Sequence, residues 1–221
     1  MSALPNRDRQ AERREATRRE IVDAAWEIAR ADGIGAITLR DVAARVGMQA
    51  PSLYSHFASK NAILDAMFGD AWQQYLDLAD AFEDQLPKQP RKALLFMTQS
   101  YVEFNLADHA RFQLMNQRMV ADFEPSPESY APSVRVLESF RRRLNNIGIH
   151  AEADMDLLTA IVGGLVEQQW ANEPGGERWV RQLPRALDML CDDLGLPGPR
   201  LTTRSTPRAT PRATPRVRKT R

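Results

Sequence analysis

The 221-residue chain is 43% hydrophobic and 27% charged, which suits a soluble globular protein of one or two small domains. No run approaches the roughly 18 apolar residues that span a membrane, and the first twenty residues lack the apolar centre of a secretory signal. The single cysteine, Cys191, excludes a disulfide framework and a cysteine zinc cluster, so a cytoplasmic protein is expected. The net charge of +1 hides an asymmetry: residues 200–221 carry eight Arg or Lys and no acid, whereas residues 68–199 carry twelve basic against twenty acidic residues. The ends of the chain therefore suit a polyanion and the middle repels one.

Nearly everything reads as helix, and no useful strand-period alternation is present. Thr17 with Glu20 has capping-box spacing, and Ile21, Ala24, Ala25, Ile28 and Ala29 follow the 3.6-residue period up to Gly33. Thr38 is a good N-cap for "LRDVAARV", with Asp41 at the positive end of the helix dipole and Gly47 as the stop. After a three-residue turn, Pro51 suits the first turn of a new helix ending near Phe57, and Ser59 caps the next. Two short helices joined by so short a turn have helix-turn-helix proportions.

In such a unit the second helix enters the major groove with its N-terminal residues at the base edges. Gln49 can pair with adenine or bond a phosphate, and Ala50 and Pro51 are small enough to approach a thymine methyl. Tyr54 and His56 suit phosphates, Ser55 shares their polar face, Lys60 adds charge at a helix start, Thr38 offers its hydroxyl at the start of the helix before, and Arg40 is a further candidate on that helix. The bland reading of these residues is a compact helical domain in which Tyr54 and His56 merely pack and cap.

The stretch "AITLRDVAARVGMQAPSLYSHFASKNAIL" also resembles the DNA-binding domain of the TetR (tetracycline-repressor) family, above all in "LYSHF" followed by Ser59-Lys60. The resemblance spans residues 14–70, with the helix-turn-helix at 38–57. It implies that Leu53–Phe57 belongs to the recognition helix and that the partner is double-stranded DNA. Ala50-Pro51 departs from the usual pattern, where polar or glycine residues are common. For residues 71–197 the resemblance implies an all-helical regulatory domain that binds a small effector and dimerises through its last two long helices.

The periodicity predicts helices near 70–85, 90–107, 109–121, 128–147, 152–172 and 176–195, with breaks at Pro87 and Pro90, at 124–127 and at "EPGG". Tyr75, Phe96, Met97, Tyr101, Phe104, Phe112, Met115 and Met119 are candidates for an adaptable apolar or aromatic pocket, although most such residues are ordinary core in any protein. "LLTAIVGGLV" is apolar on nearly every face, which predicts burial on both sides. Leu158, Val162, Leu165, Trp170, Leu183, Leu187 and Leu190 are therefore candidates for a four-helix homodimer interface, with intrachain core as the alternative. From residue 198 onward, repeated Thr-Pro-Arg forbids a helix and predicts a disordered basic tail.

Enzyme readings are weak. His56, His109 and His150 have no metal-ligand spacing, and there is neither a glycine-rich phosphate loop nor a nucleophile elbow. No cofactor, metal or membrane partner is expected. The expectation is an all-α, homodimeric, ligand-responsive DNA-binding regulator, most simply a repressor at a palindromic operator. The alternative is a weakly specific architectural nucleic-acid binder dominated by its basic tail.

Overall fold

The computed structural model describes residues 6–202, which form nine α-helices and no strand. They are α1 (Asn6–Asp32), α2 (Leu39–Arg45), α3 (Ala50–Tyr54), α4 (Lys60–Asp80), α5 (Pro90–Leu106), α6 (His109–Asn116), α7 (Pro127–Asn146), α8 (Glu152–Asn172) and α9 (Leu183–Asp193). No helix among the described residues is long and apolar enough to cross a membrane.

The first four helices are shaped by local chemistry. The Thr38 side chain accepts from the Asp41 N–H at 3.1 Å, and that of Ser59 accepts from the Ala62 N–H at 3.1 Å, each satisfying a donor the helix itself cannot pair. Gly47, at φ 68°, closes α2 while the Met48 N–H reaches back to the Ala43 carbonyl at 2.8 Å, a geometry a side chain at 47 would strain. Their buried stripes meet in one core, with Ile21, Ala25, Ile37, Val42, Leu53, Phe57, Ile63 and Leu64 all essentially inaccessible to water. A second core joins α5, α8 and α9 around Leu94, Leu158, Val166 and Leu187.

Two expected boundaries do not exist. Thr17 lies inside α1, which begins some ten residues earlier. A helix start near 70 is also absent: α4 runs unbroken from Lys60 to Asp80, and the first core extends along it to Tyr75 and Ala79 and across to Ala110, Leu114 and Met115 of α6. Residues 109–121 form a helix only to Asn116, and 176–182 form turns before α9 rather than its first turns.

The tail expected from residue 198 is tied down at its start. The Leu201 and Thr202 N–H groups donate to Asp188 at 2.8 and 2.9 Å, the Thr202 hydroxyl donates to it at 2.6 Å, and Arg200 pairs with Asp192. Arg91 closes this knot from α5, pairing with Asp192 at 2.8 Å and donating to the Leu196 carbonyl. The remainder of the basic segment, 203–221, lies outside the described residues.

Candidate nucleic-acid interface and effector cavity

All nine residues picked out between 38 and 60 lie on α2, on α3, at their ends or at the start of α4. Leu53 and Phe57 anchor α3 in the core, so the opposite face is turned outward. Arg40, Gln49, Pro51, Tyr54 and Ser55 are exposed, Tyr54 by 55%. Gln49 is the N-cap residue of α3, yet its side chain makes no capping bond, which leaves the amide for another partner. Ala50 is half-buried. Other members of the group are already engaged. The Thr38 hydroxyl donates to Asp41 at 2.5 Å, the Ser55 hydroxyl donates to the Ser52 carbonyl at 2.7 Å, and Lys60 Nζ donates to the Gly35 carbonyl at 2.9 Å. His56 is half-buried, and its Nδ1 is buried without a protein partner among the described residues.

Deeper in the molecule is a cavity of about 200 Å³. Trp72 and Tyr75 from α4, and Met97 and Tyr101 from α5, form one side. Val136 and Phe140 from α7, and Leu158 and Val162 from α8, form the other. Tyr101 donates its hydroxyl to Asn116 Oδ1 at 2.5 Å, joining α5 to the end of α6. Burial pushes the Tyr101 phenol up to about 12 and Tyr75 higher still, so both remain protonated donors at neutral pH.

Of the predicted pocket residues, Tyr75, Met97 and Tyr101 line this cavity. The others do not. Phe96 packs edge-on against Phe82 at 5.2 Å, and Phe104 lies under the Arg111 guanidinium at 3.6 Å. Phe112 and Met115 are buried in the two cores, and Met119 is 57% exposed. The α7 and α8 walls lie outside the predicted set. They include Leu158 and Val162, candidates for the dimer interface on sequence grounds.

That interface expectation needs a correction. Leu158, Val162, Leu183, Leu187 and Leu190 are all buried inside a single chain, where a partner cannot reach them, and Leu165 and Trp170 are half-buried against the same core. Within the single chain α8 is covered on one side only. Its outer face carries Leu157, 49% exposed, with Ala160 and Gly164, and Met189 of α9 is 64% exposed.

A family model described as bacterial regulatory proteins, tetR family, matches residues 21–67, the span of the capped helices and the exposed α3 face. Over that span the chain carries a DNA-binding domain of the TetR family. It is a DNA-binding transcriptional regulator. It is 28% identical over 170 residues to the class A tetracycline repressor protein from transposon 1721 of Escherichia coli, covering 74% of this chain and 73% of that one. Two solved structures share the fold. The TetR family transcriptional regulator PfmR from Thermus thermophilus has a TM-score of 0.56 at 22% identity, with 77% of this chain and 96% of that one covered. The transcriptional regulator FadR from Bacillus subtilis, in complex with stearoyl-CoA, has a TM-score of 0.58 at 16% identity over the same shares.

Within this TetR-family unit, two residues escape a reading of the sequence. Arg18 of α1 donates to the His56 carbonyl and lies over the Phe57 ring at 4.1 Å, and Arg14, one turn earlier, donates to the Ser55 carbonyl at 3.2 Å. Their i, i+4 spacing is a signal, but it is visible only as part of the N-terminal charge. Both arginines hold the end of α3, where helix carbonyls lack partners. The family domain is also joined to the cavity walls. Asp65 of α4 accepts from the Ser126 N–H at 2.6 Å and from the Ser126 and Ser129 hydroxyls at 2.8 Å each, gripping the first turn of α7. Arg30 of α1 pairs with Asp108, the N-cap of α6, at 2.8 Å.

Proposed function

We propose that this regulator is a homodimeric repressor that reads a palindromic operator with residues 38–60 and leaves it when a small effector fills the cavity. One observation carries the reading: α4 runs without interruption from Lys60, beside the α3 surface, to Trp72 and Tyr75 in the cavity wall. A rigid helix touching both sites gives an occupant of the cavity a physical route to the orientation of α3. In this reading Gln49 is the base reader, Ala50 and Pro51 allow close approach, and Arg40, Tyr54, Ser55, His56, Thr38 and Lys60 set the register on phosphates.

A single five-residue recognition helix contacts few base pairs, so useful specificity asks for two copies. The outer face of α8 and α9 supports the homodimer. Leu157 and Met189 are exposed, and a Cβ built on the exposed Gly164 meets nothing within 4 Å, which leaves room for a neighbouring helix. The cavity walls support an apolar or aromatic effector.

The test is footprinting of the purified protein on DNA upstream of its own gene in excess competitor, with sedimentation at micromolar concentration alongside. A protected palindrome and a sedimenting dimer are expected. A monomer would overturn the symmetric reading, and coverage without a discrete site would return the protein to the architectural alternative.

A further inference from the structure

Arg143 is the only charged side chain among the described residues of the cavity wall, and it is 6% exposed. A buried guanidinium is costly unless its donors are paired. Arg143 donates from Nη2 to the Ala79 carbonyl at 2.9 Å, and from Nε and Nη2 to Glu83 Oε2 at 3.3 and 2.9 Å. Both donors to Glu83 converge on one carboxylate oxygen, so the paired, two-oxygen geometry of a guanidinium with a carboxylate is not achieved. Glu83 is 61% exposed and sits on the short 3-10 turn Glu83–Gln85, outside the cavity wall. The buried cation therefore depends on a counter-ion that can swing into solvent.

The remaining polar wall groups carry no charge: Tyr101 is paired with Asn116, and Tyr75 and Trp72 offer neutral donors, the Trp72 Nε1 having no protein partner among the described residues. The Thr98, Thr159 and Ser133 hydroxyls donate to the carbonyls of Leu94, Met155 and Tyr130 at 2.8, 2.8 and 2.7 Å, which leaves only their lone pairs for an occupant. No carboxylate among the described residues lines the cavity, so a cationic occupant would find no counter-ion there and would be repelled by Arg143. A cavity of about 150 Å³ holds benzene, and one of about 200 Å³ admits a slightly larger body of one or two rings.

We infer that the effector is a compact aromatic or alicyclic carboxylic acid whose carboxylate pairs with Arg143 in place of Glu83. The inference rests on the effector reading of the cavity. Arg143 also holds the Ala79 carbonyl near the end of α4, so exchanging its counter-ion acts on the helix that leads to the DNA-binding surface.

The experiment titrates the full chain with 2-naphthoate and with its uncharged isostere 2-naphthamide, read by calorimetry and by the fluorescence of Trp72 and its neighbours. A charge-assisted pair replacing a neutral contact should make naphthoate bind roughly tenfold tighter than the amide. Glu83→Gln removes the competing carboxylate at an exposed position. It should tighten naphthoate about fivefold by the same reasoning and leave the amide unchanged. Arg143→Met should erase the preference for the acid, with the melting curve checking that the fold survives. Equal binding of acid and amide, or no gain for naphthoate in Glu83→Gln, overturns the inference while leaving the cavity as an effector site. Failure of both compounds to bind overturns the effector reading itself.

Discussion

The recognition unit and the effector cavity are built by opposite means. In α2 and α3 most of the shaping bonds join residues three to five apart, as in Asp41 to Thr38, Met48 to Ala43 and Ser55 to Ser52, with Arg14 and Arg18 of α1 bracing the end of α3. The cavity is assembled from four long helices and tied by contacts across the chain, such as Asp65 to Ser126, Arg143 to Ala79 and Trp170 to the Asn105 carbonyl. A locally built unit keeps one shape whatever fills the rest of the molecule, which suits a surface that must match a groove. A cavity built from distant pieces can change its walls when something enters, which suits a sensor.

The largest effect that tests this contrast is in the recognition core. Phe57→Ala empties a buried ring and should cost about 3–5 kcal/mol, abolishing DNA binding and lowering the melting temperature. Leu158→Ala, at a wall that already borders empty space, should lie nearer 2 kcal/mol and leave DNA binding intact. Thermal melts with binding assays check both, and equal losses of DNA binding would erase the distinction.

Next in size is the bond between the two regions. Asp65→Ala removes the acceptor of three hydrogen bonds and should cost on the order of 2 kcal/mol. Its sharper signature is functional: operator affinity without effector persists, while the loss of affinity on filling the cavity shrinks. Arg18→Ala and Arg18→Lys follow. Both should cut operator preference by roughly tenfold with the salt slope unchanged, because a positioning contact neutralises no phosphate. A slope lowered by about 0.9 in the Ala variant, with full rescue by Lys, would mark Arg18 as a phosphate contact instead.

How much of the molecule is legible in its residues follows the same division. Thr38, Gly47, Pro51 and Ser59 act within their own turns, so their types and spacing announce the helices they bound. Thr17 misleads because cap spacing also occurs inside a charged helix, and nothing between residues 6 and 16 breaks one. Tyr75 and Phe104 are both aromatic and lie 5.1 Å apart, yet only Tyr75 faces the cavity, a difference fixed by helix packing and invisible to composition. Leu158 fails as an interface residue for the same reason: an all-round apolar helix does not say which side its own chain covers.

The C-terminal knot gives a smaller, pH-dependent effect. Burial alone would raise Asp188, but bonds from the Thr202 hydroxyl, the Leu201 and Thr202 N–H groups and Arg91 outweigh it and hold the carboxyl below its usual range. A carboxyl depressed in the folded state stabilises above its unfolded value near 3.9, and that contribution fades as the pH falls through the folded value. Asp188→Asn should thus lower the melting temperature at pH 7 by a few degrees, with the gap to wild type closing below about pH 4. The smallest effect belongs to the basic segment. Truncation after Thr202 should lower the salt slope on operator and random DNA alike, by up to about 0.9 per engaged cation, and keep the operator preference.

The central claim, that residues 38–60 read sequence, is tested most directly by one titration. Fluorescence anisotropy of the wild type on the footprinted palindrome, and on a scrambled duplex of equal length at physiological salt, should show the palindrome bound at least about a thousandfold tighter. Equal affinity for the two duplexes would contradict it.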